Sequence, residues 1–221
     1  MRERPAKQSP LVTFWKRPRA LSAFAAAGVH FSETPFLGYF NLRGNPRQDG
    51  LVEVVRKTTG VTLPELPNTS KSAGGCAALW LGPDEWLLVT PVEEGFRVFD
   101  RLRQALVSHG LESALTDISS GQTMFRLSGP SVKEVLAKGC SLDLDPDEFQ
   151  PGQCAQTLLA KANALIWRRD ESISYDLIVR RSFAEYLALW IEDAAHEFGF
   201  HSIQEAASPR DQTTGAVVQV S

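Results

Sequence analysis

The sequence lacks the features that mark disulfide-rich, membrane and nucleic-acid-binding proteins. It has three cysteines, Cys76, Cys140 and Cys154, without any C-x-x-C spacing, which fits reduced thiols better than a disulfide framework. Its 23 basic and 26 acidic side chains give a formal net charge of -3, which does not indicate a nucleic-acid surface. The local basic excess near the N-terminus is interpreted as a solvated tail; it consists of Arg2, Arg4, Lys7, Lys16, Arg17 and Arg19.

Long apolar runs are also missing. The longest stretch without Asp, Glu, Lys or Arg spans residues 20–32, which is shorter than the ~20 apolar residues that cross a bilayer. No small-residue cleavage site follows it, so a signal peptide is not predicted. We therefore expect a soluble, cytoplasmic chain, and its 221 residues with 43% hydrophobic content suffice for one large or two small domains.

Motifs for cofactor binding and nucleophilic catalysis are absent from the sequence. Neither G-x-G-x-x-G nor G-x-x-x-x-G-K-[ST] occurs, and the pair Gly74-Gly75 precedes a predicted strand instead of opening a helix. No serine lies in G-x-S-x-G, and Cys140 follows the C-terminus of a predicted helix, where the dipole disfavours a thiolate. These absences predict that the chain holds no dinucleotide by itself and offers no recognisable nucleophile.

Metal-ligand patterns are incomplete. An acidic loop with Asp143, Asp145 and Asp147 imitates the start of a calcium loop, but its sixth position is Glu148, where a glycine is needed. The four histidines, His30, His109, His196 and His201, have no third ligand at useful spacing. We therefore predict no metal site.

What the sequence does contain is a repeated alternation of strand and helix patterns. Strands are predicted over 36–42, 77–81, 86–89, 115–119, 124–127, 156–160, 164–167 and 175–179. Helices are predicted over 46–59 and 94–109, after Pro130, and from a capping box of Ser182 and Glu185. The apolar stripe of this last helix comprises Phe183, Leu187, Trp190, Ile191, Ala194 and Phe198.

The order of these elements indicates an internal duplication. NLRG at 41–44 and RLSG at 126–129 each precede a helix. ALW at 78–80 with WLLV at 86–89 likewise matches ALIW at 164–167 with YDLIV at 175–179. The sequence therefore predicts two α+β halves, 18–111 and 112–206, whose helices cover one face of a mainly antiparallel sheet, between loose tails at 1–17 and 207–221.

Two places in the second half could carry function. Asp117, just before a strand, could face a cleft, or its carboxylate could cap a local backbone N–H. Arg180-Arg181, between the last strand and the last helix, could clamp carboxylates of a partner. Four of the five tryptophans fall on predicted elements, where core or subunit interface is the favoured interpretation: Trp80, Trp86, Trp167 and Trp190.

Several strings, in order, resemble one family over roughly residues 20 to 200. They are FNLRG at 40–44, ALWLGPDEWLL at 78–88, TDIS at 116–119, LSGP at 127–130, AKGC at 137–140, LDL at 142–144, QCAQTL at 153–158 and YDLIVRRSFA at 175–184. Together they resemble the gamma subunit of bacterial heterotetrameric sarcosine oxidase. The resemblance implies a fold similar to the folate-binding domain of aminomethyltransferases, with duplicated ferredoxin-like halves.

The resemblance also implies a function for the assembled complex. Sarcosine is oxidatively demethylated to glycine, with hydrogen peroxide as a product and transfer of the one-carbon unit to tetrahydrofolate. FAD and FMN are expected on the beta subunit, NAD and tetrahydrofolate on the alpha subunit, and zinc on the delta subunit. The gamma subunit is expected to contribute no catalytic, cofactor-binding or metal-binding residue and to contact the large alpha subunit directly.

Two alternatives stay open. A related complex could oxidise another N-methylated amine, such as N-methylglutamate, and would use a similar subunit. Alternatively, the chain could act alone as a folate-binding, aminomethyltransferase-like enzyme, with Asp117 as the candidate carboxylate for the pterin.

Overall fold

The chain folds into four layers, with two β-sheets packed face to face and helices on both outer sides. The computed structural model describes residues 7–17 and 27–204. No helix within these ranges is both long enough and apolar enough to cross a bilayer. In chain order the elements are α1 (Val12–Lys16), β1 (Val29–Thr34), β2 (Gly38–Gly44), α2 (Leu51–Thr59), β3 (Ser70–Ala73), β4 (Cys76–Gly82), β5 (Glu85–Thr90), α3 (Gly95–Ser108), β6 (Ser113–Asp117), β7 (Gln122–Ser128), α4 (Val132–Ala137), β8 (Cys154–Leu159), β9 (Ala162–Trp167), β10 (Ser174–Arg180), α5 (Arg181–Ala194) and β11 (Phe200–Ile203).

The strands form two sheets. The first, here called the N-sheet, has the order β3-β4-β5-β2-β6, and the second, the C-sheet, has the order β11-β1-β7-β10-β9-β8. Neighbouring strands are antiparallel except for the parallel pair β1 and β11. The predicted α+β fold with mainly antiparallel sheets is confirmed.

The predicted duplication is visible in the topology. The order β2-α2-β3-β4-β5-α3 recurs as β7-α4-β8-β9-β10-α5, and the four strands of each repeat pair in the same spatial order. Each repeat is preceded by one further strand, and these two strands are exchanged: β1 pairs with β7, whereas β6 pairs with β2. Strand pairing therefore crosses the predicted boundary between residues 111 and 112.

Three apolar cores hold the layers together. One lies between the N-sheet and helices α2 and α3, one lies between the C-sheet and helices α1, α4 and α5, and the third lies between the two sheets. On β5, Trp86 and Leu88 face the helices, while Leu87 and Val89 face the C-sheet. Burial of both faces explains why the central strands are continuous apolar runs instead of alternating patterns.

The prediction of a loose N-terminal tail is wrong for residues 7–17. Leu11 and Phe14 are fully buried against the C-sheet, and Arg17 forms an ion pair with Glu192 of α5 at 3.2 Å. Helix α1 is only five residues long, too short for an apolar period to be recognised. Residues 1–6 and the predicted C-terminal tail lie outside the described residues.

The predicted capping box of the last helix is also wrong. Strand β10 continues directly into α5, so Arg180 is the N-cap residue and no side chain caps the helix. Ser182 therefore lies within the first turn. Of the predicted stripe, Leu187, Ile191 and Ala194 are buried, but Phe183 is 41% exposed.

Most other predicted elements are observed with shifted ends. The first long helix begins at Leu51, five residues later than predicted, and the strand predicted over 115–119 is Ser113–Asp117, followed by a 3-10 turn, Ser119–Gly121. Strands β1, β3 and β11 were not predicted. β3 and β11 have four residues each, and their side chains are mostly exposed or half-buried, so they lack a clear apolar pattern.

The packing of α1 can be tested by truncating its buried ring. Phe14→Ala should lower the free energy of unfolding by about 3 kcal/mol, because a fully buried phenylalanine is removed from the C-sheet core. Thr13→Ala, on the exposed side of the same helix, should change it by less than about 0.5 kcal/mol. Urea unfolding followed by circular dichroism measures both; equal, negligible effects would mean that α1 is not packed.

Candidate functional site

A charged side chain lies in the otherwise apolar space between the two sheets. Asp176, on β10, is only 2% exposed. Leu177 and Val179 on the same strand face the helices, and Ile178 faces the N-sheet. Because side chains alternate along a strand, Asp176 faces the N-sheet as well. A buried carboxylate at this position requires charged or hydrogen-bonding partners.

Two arginines supply them. Arg126, the cross-strand neighbour of Asp176 on β7, binds its carboxylate with Nε to Oδ1 at 2.8 Å and Nη2 to Oδ2 at 2.9 Å. Arg169 places Nη2 2.7 Å from Oδ2, and its guanidinium lies over the Trp167 ring at 4.4 Å from the centroid. We call Arg126, Arg169 and Asp176 the cleft cluster; it consists of two guanidinium groups and one carboxylate.

The cleft cluster borders a pocket of about 480 Å³ at one end of the space between the sheets, here called the charged pocket. The two arginine side chains are 39% and 38% exposed and line it. One rim is the β3–β4 turn, where Gly74 and Gly75 have φ values of +58° and +83°, as a type I′ turn requires. The remaining lining residues are Thr34, Leu37, Ser72, Ala73, Cys76, Ala77, Val89, Thr90, Pro91, Met124 and Trp167.

A tyrosine hydroxyl lies within electrostatic range of this cluster. Tyr39 is fully buried in the inter-sheet core, and its Oη has no hydrogen-bond partner among the described residues. Burial raises the pKa of the Tyr39 phenol far above its usual range, and the carboxylates of Asp176 and Glu33 add to the rise. The phenol therefore stays protonated and can act only as a neutral donor or acceptor.

Burial disfavours the thiolate form of two cysteines, Cys76 and Cys154. Burial raises the pKa of Cys154, in the inter-sheet core, to about 12. The pKa of Cys76, which lines the charged pocket, is also raised, first by burial and then by the carboxylate of Glu94. Since the thiolate is the reactive form, the raised pKa values make both thiols poor nucleophiles at neutral pH.

The structure brings Asp117 close to only one residue of the Arg180-Arg181 pair. Asp117 and Arg181 line one pocket of about 510 Å³, whereas Arg180 lines a different one. Asp117 accepts hydrogen bonds from the backbone N–H and the hydroxyl of Ser119, so its carboxylate caps the 3-10 turn. Arg181 donates from Nη2 to the carbonyl of Gln8 at 2.7 Å. Both side chains thus have local structural partners.

The carboxylates of the acidic loop likewise accept hydrogen bonds from backbone N–H groups of the same loop. Asp143 accepts from the N–H of Asp145, and Asp145 accepts from the N–H of Asp147. Within residues 7–17 and 27–204, no group of three His, Cys, Asp or Glu side chains is arranged to hold a metal ion.

The cleft cluster is not among the sites predicted from the sequence. The available signal was Asp176 itself, because its carboxylate lies inside the apolar run YDLIV. A strand that is buried on both faces cannot hold a carboxylate without partners. Arg126 lies 50 residues away in the sequence, and only the β7–β10 register identifies it as the partner.

Comparison with known proteins shows consistent similarities. Residues 43–197 match the model of the sarcosine oxidase, gamma subunit family. The chain is 36% identical over 184 residues to sarcosine oxidase subunit gamma from Corynebacterium sp. (strain U-96), covering 81% of this chain and 86% of that protein. It is 33% identical over 174 residues to the corresponding subunit from an Arthrobacter species, covering 78% and 83% of the two chains.

Two solved structures are similar to this fold. A chain of the heterotetrameric sarcosine oxidase from Corynebacterium sp. U-96, in complex with pyrrole 2-carboxylate, matches with a TM-score of 0.76 and 32% identity, over 91% of this chain and 99% of that chain. The glycine cleavage system aminomethyltransferase T from Bartonella henselae matches with a TM-score of 0.59 and 14% identity, over 80% of this chain and 48% of that chain. The second similarity concerns the fold alone and confirms the expected aminomethyltransferase-like architecture.

The unpartnered Tyr39 hydroxyl gives a first prediction. Tyr39→Phe should leave the free energy of unfolding unchanged or raise it by up to about 1 kcal/mol, because a buried hydroxyl without a partner is removed. The matched change Trp86→Phe removes an indole that donates to the carbonyl of Pro64 at 2.8 Å and should destabilise the chain. Chemical denaturation compares the two; a marked loss for Tyr39→Phe would reveal a hidden partner.

The raised pKa of Cys154 gives a second prediction. Folding favours the neutral thiol, so this contribution to stability is complete below about pH 9 and is lost as pH rises toward about 12. The urea midpoint should therefore fall more steeply over this range for the native sequence than for Cys154→Ala. Parallel pH profiles would contradict the assignment.

Proposed function

The chain belongs to the sarcosine oxidase gamma subunit family, and from this membership we propose that it is a non-catalytic subunit of a heterotetrameric sarcosine oxidase. The complex oxidatively demethylates sarcosine to glycine, forms hydrogen peroxide, and transfers the one-carbon unit to tetrahydrofolate. This chain contributes to assembly and carries no active site of its own.

One observation carries the proposal: the similarity extends over almost the whole length of a chain from a heterotetrameric sarcosine oxidase, covering 99% of that chain. The local bonding of the candidate side chains supports the non-catalytic role. Asp117 caps a turn and Arg181 binds a backbone carbonyl.

The proposed partners are the alpha, beta and delta subunits, with direct contact to the large alpha subunit. FAD, FMN, NAD, tetrahydrofolate and zinc are proposed to be bound by these other subunits, and the complex is proposed to be cytoplasmic. A related complex that oxidises N-methylglutamate would use the same assembly, because the flavin-bearing subunit selects the amine.

We propose that the outer side of α5 contacts the alpha subunit. Phe183, Tyr186 and Leu189 are 41%, 37% and 36% exposed, and at 100° per residue they occupy about a third of the helix circumference. Exposed apolar side chains grouped on one helix face are typical of subunit interfaces.

Copurification tests the subunit proposal. A tagged copy of this chain, coexpressed with the other three subunits, should recover yellow flavoprotein that releases hydrogen peroxide when sarcosine is added. Faster oxidation of N-methylglutamate would instead identify the related complex. A colourless monomer that binds tetrahydrofolate saturably, with loss of binding in Asp117→Asn, would overturn the proposal in favour of an enzyme acting alone.

Two matched variants locate the contact. Phe183→Asp should reduce the recovered flavin at least tenfold, because a carboxylate would have to be buried in the interface. Phe96→Asp changes an 82% exposed phenylalanine on α3, in the opposite outer layer, and should have no effect. The reverse pattern would place the contact on α3 and leave the subunit proposal standing.

A further inference from the structure

The internal duplication supplies a comparison for the cleft cluster within the same chain. Tyr175 and Leu177 of β10 face the helices, as Trp86 and Leu88 of β5 do, so Asp176 is the structural counterpart of Leu87. Asp176 pairs across to Arg126, whereas Leu87 pairs across to Asn41. Two of the three charged positions therefore have uncharged counterparts in the N-sheet.

The third charged residue, Arg169, also has an uncharged counterpart. Trp167 is the cross-strand neighbour of Asp176 on β9, and Leu79 is that of Leu87 on β4. Two residues further along each chain segment lie Arg169 and Leu81. The repeated architecture thus has Arg126, Arg169 and Asp176 in one copy and Asn41, Leu81 and Leu87 in the other.

The two copies border the two ends of the space between the sheets. Leu81 and Leu87 line a pocket of about 590 Å³, here called the neutral-cluster pocket, at the end opposite the charged pocket. The fold therefore accommodates an apolar pair at this position. Replacing buried ion pairs by apolar side chains is often neutral or stabilising, so stability alone does not account for the cleft cluster.

Both guanidinium groups of the cleft cluster line the pocket. Among the described residues that line the charged pocket, the ionisable side chains other than Cys76 are Arg126 and Arg169, while the compensating carboxylate of Asp176 lies behind them. Nε and Nη1 of Arg169 have no hydrogen-bond acceptor in the described part of the chain, since its contacts to Asp176 and Met124 both use Nη2. Stacking on Trp167 fixes the plane of this guanidinium.

We propose that the charged pocket binds the carboxylate group of a small organic acid. The carboxylate accepts hydrogen bonds from Arg169, and the apolar part of the ligand contacts Leu37, Val89 and Met124. The pocket volume of about 480 Å³ lies in the range of small-molecule sites. The inference does not depend on the proposed subunit function.

Benzoate is a suitable probe, because it joins one carboxylate to a compact apolar ring, and benzamide is its neutral control. In NMR spectra of the ¹⁵N-labelled full chain, benzoate should shift the indole N–H of Trp167 saturably, and benzamide should not. Trp167 is a sensitive reporter because its Nε1 donates to Ser70 at 2.8 Å while its ring carries Arg169. The affinity should fall as salt is added.

Three variants decide the assignment. Arg169→Leu copies the counterpart residue Leu81, leaves the Arg126–Asp176 pair intact, and should weaken benzoate binding at least tenfold. The combined change Arg126→Asn, Arg169→Leu and Asp176→Leu copies the whole neutral set and should fold without binding. Arg180→Leu removes one positive charge from the neutral-cluster pocket and should bind like the native chain.

The proposal is overturned if benzoate and benzamide act alike, if the shift does not saturate, or if Arg169→Leu binds normally. Should the combined variant fail to fold, Arg169→Leu alone decides. Repeating the titration on the assembled complex distinguishes the source of the carboxylate: retained binding supports a free acid, and loss of binding on assembly would mean that a partner's acidic side chain occupies the pocket instead.

Discussion

The fold depends on the exchange of two strands between the halves of the chain. β1 pairs with β7 of the second repeat, and β6 pairs with β2 of the first, so each sheet contains a strand from the other repeat. Neither repeat can complete its sheet without the other. The exchange also fixes the two sheets face to face, because the short connections from β1 to β2 and from β6 to β7 pass directly from one sheet to the other.

This arrangement restricts which side chains can lie between the two sheets. Central strands such as β5 and β10 are buried on both faces, so a charge is tolerated there only when its partners are also present. In the first repeat the corresponding positions hold the apolar residues Leu87 and Leu81, so no charge has to be compensated. In the second repeat the carboxylate of Asp176 is compensated by ion pairs with Arg126 and Arg169. Two related copies of one architecture have thus acquired different chemistry at equivalent positions.

The outer helices bury one side and expose the other. Helix α5 packs Leu187 and Ile191 into the core of the C-sheet and presents Phe183, Tyr186 and Leu189 on its outer side. The proposed role in assembly would use this surface and would need no reactive group. In this chain the thiols Cys76 and Cys154 are buried with raised pKa values, and Asp117 is used to cap a turn.

The repeated order of strands and helices could be predicted from the sequence, because apolar runs and turn residues are local signals, as in NLRG at 41–44 and RLSG at 126–129. Helix α1 escaped prediction because five residues carry no period, and the start of α5 was misplaced because β10 runs into it without a turn. The sequence by itself determined the fold class, the duplication and the family resemblance. Only the tertiary structure decided which strands are exchanged and which arginines meet Asp176, since pairing between residues 50 positions apart depends on strand register and not on any local pattern.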